Sequence, residues 1–313
     1  MRGSMGKIAF VFPGQGAQKA GMGLDFYKEF PTAREIYEKA GAWLGMDVKA
    51  LCFEENDRLN QTQYTQAAMV TTSMAMERVI EEQGLHPDIA AGLSLGEYCA
   101  IATAGAMSLQ DAIVTVRKRG LLMEEAVPAG QGGMAAVLGM EAKDIEQIIE
   151  PIAQVSIANY NCPGQIVITG MRQSLDAAME ALKGAGAKRV IELTVSGPFH
   201  SEMLTEAGNR LAAELEHVEL KSLDIPYVTN VTAETVKDTA QIKALLARQI
   251  SSPVRWQQSV EHMIAEGVDI FVEIGPGRTL TGFMKKINRD VTIYNIETVA
   301  DMNEVLKKLS GNA

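Results

Sequence analysis

The sequence predicts an α/β fold in which helices cover a mostly parallel β-sheet. Short apolar segments alternate with amphipathic ones along most of the chain, as in consecutive βαβ units. The first apolar segment, KIAFVF at 7–12, is typical of a buried strand. With 313 residues, of which 47% are hydrophobic, the chain can also bury a large core.

Four segments are predicted as strands of the main sheet, with helical segments between them. They are KIAFVF (7–12), IAAGL (89–93), DIFVEIG (269–275) and VTIYNI (291–296).

Residues 130–198 depart from this alternation and predict a second, smaller unit. The patterns indicate strand 134–138, helix 142–153, strands 154–160 and 165–170, helix 172–185 and strand 188–195. This βαββαβ order is that of a ferredoxin-like unit. PAGQGG (128–133) and SGP (196–198) are turn-forming segments at its two ends. We therefore predict a large α/β domain of residues 5–129 and 199–313 and an inserted domain of residues 130–198, with the ligand site in the cleft between them.

Composition argues against several classes of partner. A net charge of −10 and the lack of a long Lys/Arg tract disfavour nucleic acid. No apolar run reaches 18 residues and the N-terminus does not resemble a signal peptide, so we expect a cytoplasmic protein with no membrane partner. MRGS at 1–4 is typical of an expression-vector remnant.

The cysteine pattern predicts neither disulfides nor a metal site. Cys52, Cys99 and Cys162 are odd in number, and no CxxC or Cys/His spacing suggests zinc. We expect reduced thiols and no bound metal.

Gly-x-Ser-x-Gly at 92–96 makes Ser94 a candidate nucleophile. The serine follows a predicted strand and precedes the predicted helix LGEYCAIATAGAM, which is the setting of a nucleophile elbow. Flanking glycines suit a strained turn, because they bring no Cβ atom to its close-packed sides. The alternative is an N-cap serine in a tight βα turn.

A serine nucleophile needs a base, and the chain offers four histidines. His262 and His217 lie away from the apolar faces of their predicted helices, so both are predicted to be solvated. His86 lies at the wrong end of the strand that leads to Ser94. His200 remains, in the turn SGPFHS that overlooks the predicted cleft, although a lone histidine is more often structural.

At this point a set of motifs resembles a known family. FVFPGQGAQ (10–18), GLSLGEY (92–98), RKRG (117–120), NYNCPGQIVITG (159–170), GPFHS (197–201) and VEIGPG (272–277) occur in this order. They resemble malonyl-CoA:acyl carrier protein transacylases of bacterial fatty-acid synthesis, over nearly all of residues 5–313. The resemblance implies an α/β-hydrolase-like core with a ferredoxin-like insertion.

The resemblance also implies roles for individual residues. Ser94 would be the nucleophile, His200 its general base, and the main-chain carbonyl of Gln249 would orient the histidine, with no carboxylate as a third member. Backbone N–H groups of Gln15 and Leu95 would form the oxyanion hole, and the start of a helix after Ser94 favours an oxyanion there.

Many family members have a histidine before the serine, where this chain has Leu93. Because that residue is not the base, the implied mechanism is unaffected.

Three more residues would bind substrate. Arg119 matches the arginine that pairs with the malonyl carboxylate, a role that suits the two parallel donors of a guanidinium. Arg117 is about 200° away around a helix, so only one of the two can face the serine. Phe199 would leave little room for a branch at the acyl α-carbon, and Asn161 would contact the carrier arm or serve as a turn residue.

The implied reaction is ping-pong transfer of malonyl from malonyl-CoA to the phosphopantetheine thiol of acyl carrier protein, through an ester on Ser94. No bound cofactor is implied, and we expect a monomer. An acidic carrier protein would need a local basic patch, for which the sequence offers four candidates. These are Lys188, Arg189, Lys285 and Lys286.

Three alternative functions are less well supported by the sequence. A serine esterase or thioesterase would use the same turn, but it normally needs an acidic partner for the histidine and has no use for Arg119. A dinucleotide loop at GQGAQKAG is disfavoured, because Lys19 occupies the third glycine position and Pro13 intervenes. A non-enzymatic scaffold that binds carrier protein predicts that Ser94→Ala has no effect on activity.

Overall fold

The computed structural model describes residues 6–311 of the chain. The vector-remnant interpretation of residues 1–4 lies outside this range. The fold is mixed α/β with a parallel-sheet core and a second, antiparallel sheet, so the predicted fold class is confirmed.

The strands of the described range alternate with helices along most of the chain. The strands are β1 (Lys7–Phe12), β2 (Ile89–Gly92), β3 (Gly132–Leu138), β4 (Val155–Cys162), β5 (Gln165–Met171), β6 (Arg189–Glu192), β7 (Tyr227–Val228), β8 (Thr235–Val236), β9 (Val268–Ile274) and β10 (Thr292–Ile296). The helices are α1 (Leu24–Glu29), α2 (Pro31–Leu44), α3 (Val48–Phe53), α4 (Thr62–Glu82), α5 (Gly96–Thr103), α6 (Leu109–Ala126), α7 (Ala142–Ile149), α8 (Arg172–Gly184), α9 (Thr205–Leu215), α10 (Ile242–Gln249), α11 (Trp256–Ala265), α12 (Thr279–Ile287) and α13 (Val299–Ser310).

The larger sheet has the strand order β10-β9-β1-β2-β7-β8. All its pairings are parallel except that of β7 with β8. Because β1 is central, its residues are buried on both faces. Phe10 and Phe12 pack into the cluster that contains α4 and α6, whereas Ala9 and Val11 pack against α11 and α12.

The smaller sheet has the order β4-β5-β3-β6 and is antiparallel throughout. Helices α7 and α8 cover one of its faces around the buried side chains of Ile145, Leu175 and Leu182. The chain order of these elements is βαββαβ. The division into domains at residues 130 and 198 stays a prediction, although every strand of this sheet lies between Gly132 and Glu192.

The sequence prediction differs from the structure in several places. It contained no strand at β7 or β8, because two residues are too few to show a period. It extended a helix to residue 153, but α7 ends at Ile149, because Pro151 has no N–H with which to continue the helical hydrogen bonds. It also began the last strand of the insertion at 188 and ended it at 195, whereas β6 stops at Glu192.

Candidate active site

Ser94 lies on a strained turn between β2 and α5. Its backbone φ is 55°, in the left-handed region that non-glycine residues rarely adopt. A Cβ atom on Gly92 would collide with the carbonyl oxygen of Gly96, and one on Gly96 would collide with that of Phe12. Both glycines are therefore required by close backbone packing, as the elbow interpretation expected.

His200 lies directly beside the serine, 106 residues further along the chain. The Ser94 Oγ and the His200 Nε2 atoms are 2.8 Å apart. On the other side of the ring, Nδ1 is 3.0 Å from the carbonyl oxygen of Gln249 and 3.2 Å from that of Ser252. Since carbonyls only accept, Nδ1 carries the proton and Nε2 is free to accept the serine proton.

Burial keeps this histidine neutral. Desolvation, reinforced by the nearby positive charge of Arg119, lowers the pKa of His200 to about 4. The residue also has a φ of 56°, so both members of the pair occupy strained backbone. The other histidines lie elsewhere: His86 and His217 are exposed. His262, predicted to be solvated, is only partly exposed, and its Nε2 atom lies 2.8 Å from Thr235 Oγ1.

Arg119 is fully buried and reaches the same point from α6. Its Nη2 atom donates to Ser94 Oγ at 3.0 Å and to Gln249 Oε1 at 2.9 Å, and its Nη1 atom donates to Gln66 Oε1 at 2.7 Å. Arg117, two residues earlier, instead donates to Gln63 and lies over the ring of Tyr64. Only Arg119 of the two faces Ser94, in agreement with the helical spacing.

Beneath these groups lies a buried carboxyl that the sequence reasoning did not single out. Glu97, in the first turn of α5, is fully buried and accepts from the backbone N–H of Asn230 at 2.5 Å. Desolvation raises the pKa of Glu97 to about 7, although the Asn230 N–H and the charge of Arg119 favour its ionised form.

Four other residues of the site were also missed or only partly assigned. The Asn230 side chain accepts from the Ser94 backbone N–H, and the Gln66 side chain accepts from Arg119. The Ser252 carbonyl accepts from His200 Nδ1. The side chain of Gln249 adds to its predicted backbone role, because it contacts both Arg119 and the Ser94 carbonyl. These contacts join residues up to 155 positions apart, so no local pattern reveals them.

The two predicted oxyanion donors follow the neighbouring strands β1 and β2. Gln15 follows β1 and lines the cleft, and its side chain donates to Thr62 Oγ1 at 3.1 Å. Leu95 directly follows Ser94 at the N-cap of α5. Within residues 6–311, neither backbone N–H has an acceptor, so both remain available to a ligand.

Ser94 and His200 open onto a cleft of about 520 Å³ between the two sheets. Asn161 and Met134 line it from the smaller sheet, and Phe199 lines it from the segment that returns to the larger sheet. The Asn161 Oδ1 atom is buried and has no partner in the described part of the chain. The cleft is therefore largely apolar, and the residue Asn161 lies at its wall.

The four basic candidates do not form one patch. Lys188 and Arg189 are exposed at the start of β6, an edge strand of the smaller sheet. Lys285 and Lys286 are exposed near the end of α12, which packs against β4 at the opposite edge.

Residues 6–311 contain neither a metal-ligating cluster nor a membrane-spanning helix. No group of three His, Cys, Asp or Glu side chains there is arranged to hold a metal ion. The three cysteines are free and buried. No described helix has the length and apolar character needed to cross a membrane.

A partly exposed serine paired with a buried histidine, at a strand–turn–helix junction of an α/β fold, defines a class of enzymes that act on acyl groups. Comparison with known proteins narrows the class. Residues 9–305 match the family model described as "Acyl transferase domain". The chain is 44% identical to the malonyl CoA-acyl carrier protein transacylase of Bacillus subtilis, with alignment over 99% of this chain and 100% of that protein. The Staphylococcus aureus protein of the same name (strain MRSA252) is 41% identical, over 95% and 98% of the two chains.

Solved structures show the same similarity. The malonyl CoA-acyl carrier protein transacylase of Clostridium perfringens superposes with a TM-score of 0.94 at 42% identity, over 98% of each chain. A malonyl-transacylase solved in complex with a type II polyketide synthase acyl-carrier protein superposes with a TM-score of 0.94 at 38% identity, over 96% of this chain and 99% of that one. The chain belongs to the malonyl CoA-acyl carrier protein transacylase family, and it is an acyltransferase. The resemblance inferred from its motifs is confirmed.

Proposed function

We propose that this chain transfers the malonyl group of malonyl-CoA to the phosphopantetheine thiol of holo-acyl carrier protein, in support of fatty-acid synthesis. One observation carries the proposal. The Ser94 Oγ atom lies 2.8 Å from His200 Nε2 and 3.0 Å from Arg119 Nη2. The neutral base and the receptor for a carboxylate therefore both contact the nucleophilic oxygen atom.

The first half-reaction forms an ester on the serine. Ser94 Oγ attacks the thioester carbonyl while His200 Nε2 takes its proton, and the free backbone N–H groups of Gln15 and Leu95 stabilise the oxyanion. The carbon–sulfur bond then breaks, and the imidazolium returns the proton to the leaving thiol of CoA. The Arg119 guanidinium pairs with the malonyl carboxylate throughout.

The second half-reaction reverses these steps with a different thiol. The phosphopantetheine thiol gives its proton to His200 and attacks the malonyl-serine carbonyl, and Ser94 leaves with the proton returned. Phe199 would limit the space at the acyl α-carbon, and Asn161, at the wall of the cleft, would contact the pantetheine arm. No cofactor takes part, and a monomer in the cytoplasm is sufficient for this chemistry.

Intact-protein mass spectrometry tests the proposal. Wild type mixed with malonyl-CoA should gain one malonyl group, Ser94→Ala should gain none, and holo-acyl carrier protein should remove it. Loss of the adduct to water at the same rate without carrier protein would instead indicate a hydrolase. Absence of an adduct in wild type would overturn the proposed function.

A further inference from the structure

We propose that Asn230 is the positioning residue that holds the Ser94 turn in its reactive geometry and couples it to Gln249, the residue that orients His200. This inference rests on the proposed function, in which Ser94 is the nucleophile. Asn230 is fully buried and lies two residues after β7.

The Asn230 side chain bonds the turn on both sides of Leu93. Its Oδ1 atom accepts from the Ser94 backbone N–H at 2.8 Å, and its Nδ2 atom donates to the Gly92 carbonyl at 2.7 Å. The carboxamide thus donates one hydrogen bond and accepts one, as the N–H and carbonyl groups of a neighbouring β-strand would. Because Ser94 has a φ of 55°, its backbone needs such outside contacts to stay in place.

The sheet explains how Asn230 reaches this turn. β2 and β7 are parallel neighbours, with Ala91 aligned to Val228, so the segments that follow both strands leave the sheet side by side. The Asn230 main chain is also fixed at both of its polar groups. Its N–H donates to Glu97 Oε1 at 2.5 Å, and its carbonyl accepts from the Arg255 N–H at 3.0 Å.

A second connection runs from Asn230 to the histidine. Gln249 Nε2 donates to Asn230 Oδ1 at 3.2 Å and to the Ser94 carbonyl at 3.0 Å. The main-chain carbonyl of the same Gln249 accepts from His200 Nδ1 at 3.0 Å. Asn230 therefore links the serine turn to the residue that orients the proposed base, so its loss should disturb the distance between Ser94 and His200.

The chemistry of the contact requires an amide. Aspartate has the same shape and can accept from Ser94, but as a carboxylate it cannot donate to the Gly92 carbonyl. It would also place a second acidic group close to Glu97. Alanine removes both contacts, so Asn230→Ala and Asn230→Asp separate complete loss of the contacts from loss of the donor alone.

The experiment measures two rates on each purified, full-length variant. One is the acylation of Ser94 by malonyl-CoA, followed by rapid quench and intact mass. The other is labelling of Ser94 by a small neutral fluorophosphonate, which does not need the malonyl site. A catalytic group that moves by about 1 Å loses about 100-fold in rate, so we expect both rates to fall by about that factor in Asn230→Ala. The affinity for malonyl-CoA, measured with Ser94→Ala added to each chain, should be unchanged.

Asn295→Ala is the matched control. Asn295 is also buried, at the end of β10, where its Nδ2 atom donates to the Gly277 carbonyl at 2.8 Å in the loop after β9. Its removal should lower thermal stability as Asn230→Ala does, but both rates should remain those of wild type. A general loss of stability would slow both variants alike.

Several outcomes would overturn the proposal. Labelling of Asn230→Ala by fluorophosphonate at the wild-type rate would do so. Equal slowing of both rates in Asn295→Ala would do so as well. If Asn230→Ala does not fold, Asn230→Asp provides the comparison, and failure of both to fold would assign Asn230 to stability alone. A wild type that is labelled but gains no malonyl group would refute the proposed function and leave the labelling test of Asn230 decisive.

Discussion

Replacing Arg119 tests the proposed carboxylate receptor most directly. In the free protein its Nη2 atom donates to Ser94 Oγ and Gln249 Oε1, and its Nη1 atom donates to Gln66 Oε1. The malonyl carboxylate would lie two bonds beyond the carbonyl carbon that Ser94 attacks. It can therefore replace the serine as the acceptor at Nη2 without movement of the helix that carries Arg119.

The expected loss follows from burial. Arg119 has no exposed surface, so a carboxylate bound there would leave water. Truncating one partner of a buried hydrogen-bonded charge pair costs about 2–5 kcal/mol, or about 30-fold to 5,000-fold in rate. Arg119→Ala should lower the acylation rate with malonyl-CoA within this range. Arg119→Lys should retain part of it, because lysine keeps the charge without the planar fork.

Acetyl-CoA separates this role from a general disturbance, because an acetyl group has no carboxylate. Rapid-quench measurement of acyl-enzyme formation should show that Arg119→Ala acts more slowly on malonyl-CoA but retains its rate on acetyl-CoA. Arg117→Ala is the control, because Arg117 lies on the same helix and contacts Gln63 instead of the serine. Equal losses with both acyl groups, or an unchanged malonyl rate, would refute the assignment.

Three further predictions concern the base, the turn and the buried acid. Because the pKa of His200 is lowered to about 4, the acylation rate should be flat from about pH 6 to 8 and fall only as the pH approaches 4. A rate that is already half-maximal at a pH near the ordinary histidine pKa would contradict this. Gly96→Ala should destabilise the fold by about 1–3 kcal/mol in urea unfolding and abolish acylation, because its Cβ atom would meet the Phe12 carbonyl oxygen. Gly282→Ala, in an open position of α12, should instead stabilise by about 0.5–1 kcal/mol, and equal effects of the two would refute the packing argument. The raised pKa of Glu97 means that the folded state binds more protons than the unfolded state between the ordinary value and about 7, so stability falls as the pH rises through this window. Glu97→Gln should remove this dependence. The unfolding free energy of the variant minus that of wild type should therefore increase by up to about 3 kcal/mol between pH 5 and pH 8. A difference that stays constant over this range would show that Glu97 is ionised in the folded protein even at pH 5.

The parts of the site that the sequence predicted are those with a local signature. Ser94 lies in a glycine-flanked turn after a strand, and its partner His200 was found by eliminating three other histidines. The choice of Arg119 over Arg117 combined the motif match with helical spacing, and the structure places only Arg119 beside the serine. Each of these inferences rests on short sequence segments taken one at a time.

The supporting residues could not be found in this way. Asn230 follows a strand of two residues, which is too short to show a pattern, and it bonds a serine 136 positions earlier. Gln66 lies inside the long helix α4, where a single polar residue gives no indication of the arginine that it will meet. Such contacts arise from the order in which strands and helices pack, which composition and periodicity do not specify.

The neutral state of His200 fits thioester chemistry. In serine proteases a buried aspartate stabilises the imidazolium, which must then protonate a poor leaving amine. Here Nδ1 meets only two carbonyl oxygens, and the nearby Arg119 disfavours a second positive charge. A thiol has a pKa of about 8.5, so a thiolate leaves with little help from an acid. Under the proposed function, a weak base oriented by the Gln249 carbonyl would therefore be sufficient, and the positive charge beside it would remain available to bind a carboxylate.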